Sequence, residues 1–365
     1  MQRWFKGVCL LAVAATVGYI FKLIGVPLPW MIGPMLVAGV LSLAGVSFPV
    51  PNFFRPTGQT VVATAVGLYF TPVAVTAVAA EASLMLGAAA LTIAAGFLTA
   101  LALVRLARTD GTTAFFAAMP GGPVEMAVLA ERWGVSGAPV ALSQTLRVVF
   151  IVLTIPPVLM LLNGGTPDFV APLAKDIDPL GLALLYTLTI AGAFLLGKLG
   201  VPNGFFLGPL AVAAALTASG VTLSAVPLPL LAAGQVMLGV ALGSRFAREH
   251  LAREKRFAFA AVVTTGLLLA LCFAVALGLW AFSDASLAAL TLATAPGSVT
   301  EMALTAKLLQ HGVAMVTAYH LVRIFIIIPF TPLLFRLFRA VMGRRITFPS
   351  LTATEESAGP VLRAR

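Results

Sequence analysis

The chain is short of charge. Only 10% of its 365 residues are Asp, Glu, Lys or Arg, while 60% are hydrophobic. A soluble protein of that length would expose far more charged surface, so a water-exposed globular domain is excluded. There are 2 cysteines and 3 histidines. Cys9 and Cys272 both fall inside apolar stretches. They give neither a disulfide framework nor a metal-ligand spacing, and each reads as a small buried hydrophobe. There is no phosphate-binding glycine loop, nucleophile elbow, haem motif or metal-spaced His/Cys cluster. These absences argue against an enzyme, and no cofactor or metal is expected. The alternating pattern of a membrane β-barrel is missing too.

What the chain has is long apolar sequence, with a mean hydropathy of +1.04. Stretches of about 17–25 residues fit bilayer-spanning helices. The first set lies near 7–24, 28–46, 59–79, 83–104 and 138–162. A second set lies near 181–199, 203–223, 229–246, 257–281 and 313–335. Two further apolar helical segments cover 112–133 and 288–310. Backbone groups in lipid must be paired internally, which makes helices the default. The expected fold is an all-α polytopic membrane protein. The net charge of +10 is not a nucleic-acid signal, because the basic residues sit at the ends of apolar segments. Arg3 and Lys6 before an apolar run look like a signal peptide. No cleavage site follows, and the run has a later counterpart, so it reads as part of the fold.

That counterpart belongs to a duplication. Pro120-Gly121-Gly122-Pro123-Val124-Glu125-Met126-Ala127 returns as Pro296-Gly297-Ser298-Val299-Thr300-Glu301-Met302-Ala303, and Arg147 returns as Arg323, all 176 residues later. Gly25-Val26-Pro27 matches Gly200-Val201-Pro202, Gly33-Pro34 matches Gly208-Pro209, and Gly58-Gln59 matches Gly234-Gln235. Residues 7–162 and 181–338 read as two copies of one unit, joined by a linker over 163–180 and followed by a polar, disordered tail over 346–365.

Lys and Arg set the orientation. Residues 71–82 hold none, whereas the matching loop holds Arg245, Arg248, Arg253, Lys255 and Arg256. After the next crossing the bias reverses: Arg105 and Arg108 in the first copy, only Asp284 in the second. Equivalent loops therefore face opposite sides of the membrane, which needs an odd number of crossings per copy. Five satisfy it if 112–133 and 288–310 enter, break at the Pro-Gly string and leave on the same side. Such backbone is tolerated where protein covers it or a cavity faces it. Both termini then lie in the cytoplasm. Six full crossings per copy, giving a parallel repeat, is the alternative, but it leaves the charge reversal unexplained.

The repeated motif carries the candidate site. Pro120 and Pro296 each end a helix, and a new one starts after Gly122 or Ser298. Ser298 to Glu301 has capping-box spacing. Gly122, Pro123 and Glu125 occupy the same three positions in the first copy. Each glutamate can thus serve simply as a cap near the positive end of the helix dipole. Arg147 and Arg323 lie about ten residues into apolar helices, roughly 15 Å from the start. An arginine there is costly unless paired or hydrated, and Glu125 and Glu301 are the evident partners. A structural salt bridge and a solute or ion site are both open readings. Ser143, Gln144 and Thr145 lie near Arg147; Tyr319 and His320 lie near Arg323. Gln144 and His320 are equivalent positions, and a membrane His is most often neutral and hydrogen-bonded. Gln59 and Gln235 read as helix–helix hydrogen-bonding residues. His250 and His311 read as loop residues.

These strings resemble the AbrB-type membrane proteins of bacteria, built from a duplicated AbrB domain. The resemblance rests on Met119-Pro120-Gly121-Gly122 with Glu125-Met126 and on Ala295-Pro296-Gly297 with Glu301-Met302, and it covers about 7–340. Ser298 departs from the first copy's glycine, so the halves need not be equivalent. Proteins of that family are labelled ammonia monooxygenases or regulators of gene expression. No metal-ligand set supports the first label and no DNA-binding element the second. The resemblance also implies a distant likeness to transporters with inverted five-helix repeats and broken helices.

The expectation is an inner-membrane secondary transporter of a small solute, with a midplane site between inverted repeats. Substrate-binding candidates are Pro120, Gly121, Gly122, Glu125, Gln144, Arg147, Pro296, Gly297, Ser298, Glu301, His320 and Arg323. The expected partners are the lipid bilayer and a small solute with a coupling ion, with no nucleic acid; a homo-oligomer is compatible. The alternative is a membrane-embedded regulator acting indirectly through a ligand or a partner. Its surfaces would be the basic 245–256 loop and the 346–365 tail.

Overall fold

The computed structural model describes residues 2–46, 48–162, 177–246, 254–310 and 312–342. Most of the linker, His250, His311, the middle of the basic loop and the polar tail lie outside the described residues. The described residues form fifteen α-helices and no strand. In chain order these are α1 (Gln2–Leu23), α2 (Pro29–Leu43), α3 (Phe54–Gly67), α4 (Pro72–Ala80), α5 (Ala82–Ala107), α6 (Gly111–Ala118), α7 (Pro123–Arg132) and α8 (Gly137–Leu162). They continue as α9 (Pro179–Lys198), α10 (Gly204–Ala218), α11 (Leu228–Gly243), α12 (Lys255–Trp280), α13 (Leu287–Thr294), α14 (Val299–Leu309) and α15 (Val313–Met342).

Five of these, α5, α8, α9, α12 and α15, are long and apolar enough to cross a membrane. The crossing expected over 59–79 is not one helix. α3 stops at Gly67 and α4 restarts at Pro72, bent by 90°. Pro72 cannot supply the N–H that a continuing helix needs. Thr71 caps the restart, its side chain accepting from the backbone N–H of Ala74. α2, α10 and α11 are also shorter than the apolar stretches containing them, at 15, 15 and 16 residues. About 20 residues are needed to cross the hydrocarbon core, so these helices are short for a full span.

Backbone detail recurs at the same offset as the sequence. Eight of the ten left-handed residues among those described occur in pairs: Gly25 and Gly200, Leu28 and Asn203, Gly45 and Gly220, Gly134 and Gln310. Packing between the copies is reciprocal. α2 packs on α11, and α10, the counterpart of α2, packs on α3, the counterpart of α11. Gly243 lies against the backbone of Met35 and Gly39, and the equivalent Gly67 against that of Leu210 and Ala214. Gly58 and Gly234, themselves equivalent, meet where α3 crosses α11. A surface in which residue i meets j, and j's equivalent meets i's, is the signature of two-fold pairing. Small residues let the backbones approach this closely. A methyl added at Gly58 would lie 2.6 Å from the carbonyl oxygen of Gly234 and 2.7 Å from Leu238. We expect Gly58→Ala to cost about 1–3 kcal/mol by overpacking, seen as a lower unfolding temperature in detergent. Gly87→Ala, which meets nothing within 4 Å, should not lower it.

The two motif segments fold back on themselves. The Phe116 and Trp133 rings both pack on Phe335, with centroids 5.4 and 4.7 Å away. A straight helix would separate residues 116 and 133 by about 25 Å. α6 and α7 therefore form a hairpin with its tip at the Pro-Gly string. In the second copy Tyr319, near the start of α15, donates to Glu81 Oε2 at 2.7 Å, and Ser283 donates to Oε1 of the same carboxylate. Ser283 precedes α13, while α14 leads into α15. A straight run over α13 and α14 would hold those ends roughly 30 Å apart.

Candidate functional site

Each hairpin tip is held by an arginine from the following long helix. Met119 leaves α6 in an extended conformation, and Ala295 does the same after α13. The last carbonyls of each short helix then have no helical N–H to accept from. Arg147 supplies the donors. One terminal nitrogen reaches the carbonyls of Ala118 and Met119 at 3.1 and 3.0 Å, and the other reaches Gly121 at 3.1 Å. Arg323 repeats this on Thr294, Ala295 and Gly297 at 3.3, 2.8 and 3.1 Å. The expected partners were the glutamates; the observed ones are backbone carbonyls. The planar guanidinium fork suits a set of acceptors fanned around a chain break.

Gln144 reinforces the first tip. Its amide donates to the carbonyls of Phe116 and Met119, both at 2.8 Å, and its oxygen accepts from Arg147. The equivalent His320 turns back on its own helix instead: Nδ1 lies 3.0 Å from the carbonyl of Val316, and Nε2 has no partner. Ser143 donates to Ala117 at 3.3 Å.

The glutamates sit at the third position of α7 and α14, with Gly122 and Ser298 at the N-caps. Placement agrees with a capping box, but the Ser298 side chain forms no capping bond. Oε2 of both Glu125 and Glu301 is buried without a hydrogen-bond partner, and Glu301 is 8% exposed. Nε of both buried arginines is also unpartnered.

The two tips face one cavity of about 60 Å³. Pro120, Gly121, Gly122, Glu125 and Arg147 line it from the first copy; Gly297, Ser298 and Arg323 line it from the second. That volume admits a few water-sized groups. Pro296, Glu301, Gln144 and His320 are not among its lining residues. Arg55 and Asn203 also line it, and both were missed as site residues. Arg55 looked like a topology signal, although it lies one helical turn before Gln59 on the same face. Gln59 donates to Asn203 Oδ1 at 2.8 Å. Arg245, in the turn after α11, was also read only as part of a basic loop. Burial, and then Arg55, lower its pKa to about 10, while Glu125 and Glu301 pull it upward. It therefore sits within electrostatic reach of all three and stays cationic at neutral pH. Among the described residues no group of three or more His, Cys, Asp and Glu could hold a metal.

The equivalent of Gln59, Gln235, lines a second cavity of about 150 Å³ with Lys22, Leu28, Tyr69, Leu231 and Lys307. The Lys307 ammonium lies 5.4 Å from the Tyr69 ring centroid, a cation–π contact.

A family model described as "Transition state regulatory protein AbrB" matches residues 30–339. The chain is 25% identical over 341 residues to a protein of Escherichia coli (strain K12) named "Putative regulator AbrB", covering 92% of this chain and 97% of that one. It is 25% identical over 369 residues to "Uncharacterized protein YhjN" of Bacillus subtilis (strain 168), covering 94% and 96%.

Proposed function

The chain belongs to the AbrB family, and from that premise we propose that it is a secondary transporter of a small solute in the bacterial inner membrane. The observation that carries this reading is the single cavity lined by both Pro-Gly tips and both arginines. Broken helices pointing their N-termini at a midplane site are how several transporter folds hold solutes and ions. The two copies are then inverted in the membrane, as the Lys/Arg distribution and the reciprocal packing suggest, with both termini cytoplasmic. Alternating access would move one helix bundle past the other, exposing the cavity to each side in turn. No step of this needs an enzyme's chemistry or a cofactor. Purified protein in liposomes should move a solute from a broad panel of small metabolites faster than protein-free liposomes. Folded protein that moves nothing overturns the reading.

A second reading, a membrane regulator without transport, is favoured by the printed name of the Escherichia coli relative. Its surfaces would be the 245–256 loop and the 346–365 tail. Neutralising that loop and deleting the tail should then abolish regulation in cells while the cavity stays intact.

A further inference from the structure

We infer that the solute is a small anion, selected by Arg55 together with the arginines of the two hairpin tips. This rests on the reading of the cavity as the solute site. Three guanidiniums, those of Arg55, Arg147 and Arg323, line the cavity with one carboxylate, Glu125. With all four ionised the lining keeps two positive charges; Arg245 and Glu301, within electrostatic reach of each other, add one charge of each sign and leave that balance unchanged. Arg147 and Arg323 are only 3% and 4% exposed, and their carbonyl partners are dipoles, which do not cancel a net charge. Uncompensated charge in a buried site is costly and calls for a counter-charge. α7 and α14 add the positive ends of their dipoles at the same place.

The comparison of the two copies points the same way. Arg55, Arg245 and Asn203 belong to no repeated motif. Their equivalents, 175 or 176 residues away, are Leu231, Tyr69 and Leu28, and all three line the second cavity. That second cavity has the same sign of charge: it is lined by Lys22 and Lys307 and by no carboxylate. Both cavities thus carry an excess of positive charge, although the residues that supply it differ. Clefts lined by one sign of charge concentrate the opposite ion.

The test uses the full chain in detergent at constant ionic strength, with N-methylglucamine as the cation throughout. Formate, acetate and nitrate are compared with gluconate, an anion too large for the cavity. The small anions should raise the unfolding temperature over gluconate by about 2–4 °C. Arg55→Gln should lose that shift. Arg256→Gln should keep it, since Arg256 does not line the cavity and donates to the carbonyl of Leu106. The same shift in wild type and Arg55→Gln, or no shift in wild type, overturns the inference. Flux separates this from the transporter reading. A cation or neutral solute that crosses, and is blocked by Glu125→Gln, leaves transport standing and removes the anion. Small anions that bind without crossing remove transport and keep the anion site.

Discussion

Glu125→Gln and Glu301→Gln are each expected to stop solute movement while leaving the protein folded. Glutamine keeps the shape and the acceptor oxygen, so packing at the start of α7 and α14 survives. What it removes is a negative charge whose Oε2 is buried without a partner. Removing the charge relieves that atom but leaves the arginines with one more uncompensated positive charge, so the two effects oppose and stability should shift by no more than about 1 kcal/mol in either direction. Charges facing one another across a buried site are worth about 2–5 kcal/mol to the interaction they support. Flux in liposomes should therefore fall by at least ~100-fold, at about 1.4 kcal/mol per tenfold. A variant that folds and transports at the wild-type rate would assign the glutamates to capping alone.

Arg147→Leu and Arg323→Leu should act in the opposite way, on the fold first. Each arginine satisfies three carbonyls at a hairpin tip. Leucine would leave those acceptors buried and unpaired. Hydrogen bonds to charged groups contribute roughly 1.5–3 kcal/mol each, and breaking a buried charged network costs about 3–5 kcal/mol. The unfolding midpoint in detergent should fall accordingly. Lysine should rescue only partly, because one ammonium cannot reproduce the guanidinium fork. Unchanged stability in the leucine variants would contradict the clamp. Gln144→Leu should weaken only the first tip, since the amide donates to the carbonyls of Phe116 and Met119 there.

The helices and their order were legible in the sequence because apolar length and Pro-Gly breaks are local signals. The bend after Gly67 was legible only as Pro72; hydropathy runs straight through it, so 59–79 looked like one crossing. The partners of Arg147 could not be read, because every residue carries a carbonyl and only the folded hairpin shows which ones lie idle. Charge complementarity suggested Glu125 and Glu301 instead. Arg55 and Arg245 escaped notice for a different reason. Positive-inside topology explains a basic residue at a helix end so well that a second use goes unasked. The departure of these two positions from their repeat equivalents, Leu231 and Tyr69, was a signal already in the chain.

The central claim is that two opposed copies send hairpin tips to one mid-membrane cavity. It is tested most directly by cysteine accessibility in intact cells, with Cys9 and Cys272 replaced. Single cysteines at Thr109 and Ser136 flank the first hairpin; those at Asp284 and Gln310 flank the second. Protection of 109 and 136 from an impermeant reagent, with labelling of 284 and 310, is the predicted result: each pair on one side, the two pairs on opposite sides. Opposite sides within a pair would make the motif segments full crossings. All four on one side would make the repeat parallel, and either outcome contradicts the account.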